Sequence, residues 1–141
     1  MTLDTVSLSR SLVNQLLHCA QSSPDMEICG LVGSKAGEPV TWYPVANVAD
    51  QPERRFRLDP QGQIDAIRSM REAGEDLFAI LHSHPTSPAE PSDIDLGEIG
   101  YPDACYLIIS LNTKGVLEMR GFRLRQNRQF EELELVLKEE P

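Results

Sequence analysis

Residues 77 to 84, LFAILHSH, constrain the fold more than any other stretch of this chain. Leu77 to Leu81 make an unbroken apolar run of strand length, and such a run belongs in the interior of a sheet. Strand residues two apart share a face, with Cα atoms about 6.6 Å apart. His82 and His84 therefore leave the same side of the strand at its end. Three prolines, Pro85, Pro88 and Pro91, then stiffen the chain as it folds back. ACYLIISL, 104 to 111, reads as a second buried strand.

The flanking segments supply cover for such a sheet. Leu8, Leu12, Val13, Leu16, Leu17 and Ala20 recur at three- and four-residue spacing, which predicts an amphipathic helix opened by a serine cap. ICGLVGS (28–34) and VTWYPVANV (40–48) predict two strands joined by a turn at 35–38, with glycines where something packs closely. RFRLD (55–59) alternates like a short third strand. Pro60 suits the first position of a helix reaching about Ala73, with Ile64, Ile67 and Met70 turned inward. Ser92 is placed to cap a short helix, DIDLGEIG, and VLEMRGFRLR and FEELELVLKE supply two further alternating segments. The order predicts a mixed α/β fold, one domain over residues 1–141, with helices packed on a sheet.

Bulk properties exclude some functions. A net charge of −9 argues against nucleic acid, whose phosphates need a basic footprint, and against anionic membrane surfaces. Cys19, Cys29 and Cys105 are odd in number and form no CxxC pair, which points to a reducing compartment. The first twenty residues lack a basic region leading into a continuous apolar core, and no apolar run reaches the 18 residues of a membrane span. A cytoplasmic location is expected.

Chemistry concentrates after residue 81. His82 and His84 can converge on one ion, each about 2.0–2.1 Å from a zinc. Asp95, three residues after Ser92, falls in the first turn of the expected helix, where a carboxylate suits the helix dipole and can also reach the metal. Two imidazoles and one carboxylate suit zinc and leave a fourth position for water. His-x-His alone is often a pair of surface histidines, and Ser-x-x-Asp is a common cap. The full pattern His-x-His-x7-Ser-x-x-Asp fixes four positions and would arise by chance roughly once in a thousand chains of this size, which favours a metal site.

This pattern resembles the signature of the JAMM (MPN-domain) zinc metalloproteases, and the filled positions are similar to the active MPN+ branch. PVANVADQPERRFRLDP (44–60) and YPDACYLIISL (101–111) are also similar to its compact bacterial members. The resemblance implies a mixed-sheet MPN (JAB) domain with a cytidine-deaminase-like α-β-α arrangement. It implies zinc on His82, His84 and Asp95, Glu27 as general base and proton shuttle, and Ser92 helping to hold the tetrahedral intermediate. It implies hydrolysis of the peptide or isopeptide bond after the C-terminal Gly-Gly of a ubiquitin-like protein. Only Leu96 to Asp103 separates Asp95 from the next strand, which leaves little room for ubiquitin-gripping insertions. The chain therefore resembles enzymes that trim a sulfur-carrier protein, some of them releasing cysteine.

Alternatives stay open at this level. The same residues would serve a zinc amidohydrolase acting on a small molecule, or a non-catalytic scaffold. Cys29, on the strand face of Glu27, would close a structural zinc site if it were a fourth ligand. Ser92 can cap a helix instead of acting in catalysis. His18 reads as a residue of the first helix's end, and Arg54, Arg55, Arg123, Arg125 and Arg128 as solvated faces or a grip on a partner.

Overall fold

The computed structural model describes residues 4–92, 101, 103–112, 117–125 and 129–138. Among the described residues, seven strands and two helices follow in the order β1 (Thr5–Ser9), α1 (Arg10–Gln21), β2 (Cys29–Lys35), β3 (Glu38–Val45), α2 (Pro60–Glu72), β4 (Asp76–His84), β5 (Cys105–Ser110), β6 (Glu118–Leu124) and β7 (Phe130–Lys138). They form one mixed sheet in the order β1-β7-β6-β5-β4-β2-β3. The β1–β7 and β4–β5 pairs are parallel, and the others are antiparallel.

Local chemistry explains the helix starts. Ser9 accepts a hydrogen bond from the Leu12 amide at 3.1 Å, capping α1. Asp59 does the same for Gly62 at 3.0 Å, and Pro60 begins α2. Ala36 and Gly37 join β2 to β3 with φ of 51° and 81°, the positive values that a tight hairpin turn needs. A Cβ at Gly30 would run into the Tyr43 carbonyl and the Trp42 ring, so close packing requires the glycine there.

The two helices cover opposite faces. Leu12, Leu16 and Ala20 of α1 pack with Val32, Ala79, Leu81, Leu107 and Ile109, while Ala66 and Met70 of α2 share a second core with Leu31, Ile80, Ile108 and Phe122. Alternation along β4 thus turns Ala79 and Leu81 to α1, and Ile80 and the two histidines to the opposite face. Burial on both faces explains why β4 and β5 carry almost no polar residues before their ends. Among the described residues, no helix is long and apolar enough to cross a membrane.

Three expectations change. β1 was not anticipated: Leu8 belongs to it and not to α1, and it gains its backbone partners from β7, far away in sequence. RFRLD forms no strand; only Leu58 bridges, to Asn47, because side-chain hydrogen bonds take up the neighbouring peptide groups. Ile64 is 52% exposed, and Ala66 takes the inward place beside Met70. The helix expected after Ser92 lies outside the described residues, as do Asp95 and Arg128.

Candidate metal centre

Glu27, His82 and His84 converge where β4 ends and β2 begins. Cys29 pairs with His82 across the antiparallel β2–β4 ladder, and carrying that register on by two residues sets Glu27 opposite His84. Ile28 and Ser83 lock the register between them: the Ile28 amide donates to Ser83 Oγ at 2.8 Å and the Ser83 amide to the Ile28 carbonyl at 3.0 Å. One ligand atom from each of Glu27, His82 and His84 lies within 4.8 Å of the other two. The three are 4%, 1% and 3% exposed, so they meet in a poorly solvated place.

The imidazoles are oriented for a cation. His84 Nδ1 lies 2.7 Å from the Pro88 carbonyl. A carbonyl only accepts, so Nδ1 carries the proton and Nε2 keeps its lone pair. The two Nε2 atoms are 3.1 Å apart. A tetrahedral ion with bonds of about 2.0–2.1 Å separates two nitrogens by about 3.3–3.4 Å, so the pair fits a shared zinc-sized ion. Phe56 stacks on the His82 ring, centroids 4.4 Å apart and planes 20° from parallel, and limits its rotation. A buried carboxylate beside two imidazole nitrogens is the donor set a divalent cation needs.

The proline-rich loop after His84 is tied down. Its Ser87 carbonyl accepts from Ser110 Oγ at 2.7 Å, Ala89 is buried, and Glu90 meets Arg120 at 3.2 Å while Arg120 grips Glu132. Ser92 is exposed, at the edge of the described segment. The structure thus brings together three of the five residues singled out in the sequence; Asp95, beyond the described residues, is not placed.

The other candidates resolve differently. Cys29 is buried, its thiol faces the Val45 carbonyl at 3.5 Å, and it is not part of the cluster. Burial, with the Glu27 carboxylate as a smaller cause, pushes the Cys29 thiol up to about 12. Cys29→Ala should therefore leave metal content and turnover within about twofold of the parent at a stability loss of about 1 kcal/mol; metal analysis with a melting curve checks this. His18 is exposed in the last turn of α1. Arg123 pairs with Asp4 and Arg125 with Glu131, so both are engaged in exposed ion pairs. Sequence reasoning missed Phe56, Asn47 and the Pro88 carbonyl, whose roles depend on contacts that no local pattern announces.

Comparison with known proteins agrees with this geometry. The family described as prokaryotic homologs of the JAB domain matches residues 9–125. The chain is 34% identical over 102 residues to the desampylase of Haloferax volcanii, covering 71% of this chain and 73% of that protein. It is 31% identical over 126 residues to the CysO-cysteine peptidase of Mycobacterium bovis, covering 87% and 85%. The solution structure of a protein from Desulfitobacterium hafniense superposes with a TM-score of 0.84 at 31% identity, covering 96% of this chain and 94% of that one. A family match over most of the chain, on a mixed sheet that gathers Glu27, His82 and His84 at one strand end, leads to a single assignment: the chain belongs to the prokaryotic JAB-domain family.

Proposed function

We propose that this chain, as one domain over residues 1–141, is a zinc-dependent peptidase. Its substrate would be the peptide or isopeptide bond that follows the C-terminal Gly-Gly of a ubiquitin-like sulfur-carrier protein. The observation that carries the reading is the convergence of Glu27, His82 and His84 in a buried pocket of donors. Relatives named desampylase and CysO-cysteine peptidase support the substrate class. A diglycine tail has no side chains and can lie extended in a narrow approach to the site.

His82 and His84 would hold the zinc, with Asp95 as the third ligand from the segment after Ser92. When bound, the zinc supplies a Lewis acid and brings the pKa of water near 7. Glu27 takes the proton of the attacking water on a carboxylate oxygen and passes it to the leaving nitrogen as the carbon–nitrogen bond breaks. The Ser92 hydroxyl donates to the carbonyl oxygen as that oxygen gains charge. The Pro88 carbonyl holds the His84 tautomer, and Phe56 holds the His82 ring. Three free thiols suit a reducing, cytoplasmic setting.

The test is incubation of zinc-loaded protein with sulfur-carrier proteins that carry one residue or a conjugate beyond Gly-Gly, read by mass spectrometry. Release of the extension, leaving a free Gly-Gly terminus, is the expected result. Intact carriers across several such proteins would remove the substrate assignment. Turnover of free small amides in their place would favour an amidohydrolase.

A further inference from the structure

Glu27 precedes β2, so its own peptide groups lie outside the strand ladder. They are held instead by the loop between β3 and α2. The Glu27 amide donates to the Pro52 carbonyl at 2.8 Å, and the Glu27 carbonyl accepts from Asn47 Nδ2 at 3.0 Å. That same Nδ2 donates to the Arg55 carbonyl at 3.1 Å. Asn47 Oδ1 accepts from the Ala49 amide at 3.0 Å and from the Arg57 amide at 2.9 Å. A carboxamide offers two donor hydrogens and two lone pairs, and here all four are used. Two partners are carbonyls and two are amides, so the orientation of the group is fixed by its surroundings.

The pattern has a direction. Arg55 and Arg57 flank Phe56, and Phe56 is the ring stacked on His82. One side chain therefore spans the peptide of the acid and both peptides beside the aromatic that braces an imidazole. Val48 and Asp59 extend the clasp with backbone bonds to Arg57 and Ala46, at 2.9 and 3.0 Å. We infer that Asn47 is a positioning residue for the reaction: it holds Glu27 and, through Phe56, His82 in one frame. This rests on the peptidase reading for Glu27 but concerns a residue that makes no contact with the ligand atoms.

Asn47→Asp is the sharpest probe, because it keeps size and both acceptor contacts while replacing the two donors with an oxygen facing two carbonyls. Asn47→Ala removes all four contacts. Both are compared with the parent, with Glu27→Gln and with the double variant Glu27→Gln/Asn47→Ala. The substrate is a sulfur-carrier protein extended by cysteine beyond Gly-Gly, and melting curves establish the folded fraction. Loss of an outer-shell contact of this kind typically lowers activity or metal affinity about 10- to 100-fold. The expected result is a fall of that size in kcat with KM within about twofold, since an interaction felt in the reaction and not in binding is being removed. Assayed at saturating zinc, which takes out any loss through His82, the double variant should be no slower than Glu27→Gln, because a disabled acid has nothing left to orient. Unchanged kcat per folded molecule, or penalties that multiply in the double variant, would overturn the inference and leave the peptidase reading intact. Activity retained by Glu27→Gln would overturn both. Cobalt(II) affinity, measured by chelator competition, supplies the arm that does not depend on the substrate. Should the parent not cleave the carrier, about tenfold weaker cobalt binding by Asn47→Asp supports the frame around His82, and parental affinity overturns it.

Discussion

Replacement of Glu27 with glutamine should lower kcat about 100- to 10,000-fold, the span that a positioned acid–base group contributes. Glutamine matches glutamate in size and keeps one oxygen, so packing at this 4%-exposed position is preserved. What it lacks is the capacity to accept a proton from water and hand it on. Metal content should stay at the parent level, because the two imidazoles remain in place, and substrate binding should change little. Metal analysis alongside turnover on an extended carrier decides the matter. A Glu27→Gln protein that lost metal and activity together would instead identify Glu27 as a ligand, a role its closeness to both histidines permits.

Removal of the metal should have the other large effect. A strong chelator should bring turnover to background, and zinc should restore it. An ion present at 100 times its dissociation constant stabilises the folded state by about 2.7 kcal/mol. For a chain of this size that corresponds to a melting temperature about 8 °C lower without metal. His84→Ala should reproduce both changes, with no recovery on adding zinc. It removes a nitrogen from the cluster and also strips the Pro88 carbonyl of its donor at 2.7 Å. Equal melting temperatures with and without metal would show that no ion binds in this place.

The parts legible in the sequence are those set by short-range periodicity. Leu12, Leu16 and Ala20 recur on one face of a helix, and His82 and His84 share a strand face because side chains alternate. The same logic fails where the partner is distant. Leu8 fits the helical spacing, yet its backbone pairs with Leu137 of β7, and no local window contains that information. RFRLD alternates as a strand would, but Asn47 takes the Arg55 carbonyl and the Arg57 amide that a neighbouring strand would have used. Glu27 is an ordinary acid by itself; resemblance singled it out, and the β2–β4 register explains how it comes to face His84. Asn47 carried no signal, because an asparagine near a turn is common and its importance lies in which peptides it joins.

The parallel pairing of β1 with β7 has a temporal meaning as well. Thr5 aligns with Glu134, so β1, the first of the described strands, docks on β7, the last of them. Each doubling of such a span adds only about 0.6 kcal/mol of closure entropy, so the arrangement is affordable at equilibrium. Its effect falls on kinetics, where pairings between remote segments slow the search for the native state. The hairpin of β2 and β3 can assemble as soon as both strands are made, whereas the flank formed by β7 and β1 must wait for β7. β1 thus precedes the other described strands in synthesis and finds its partner after them.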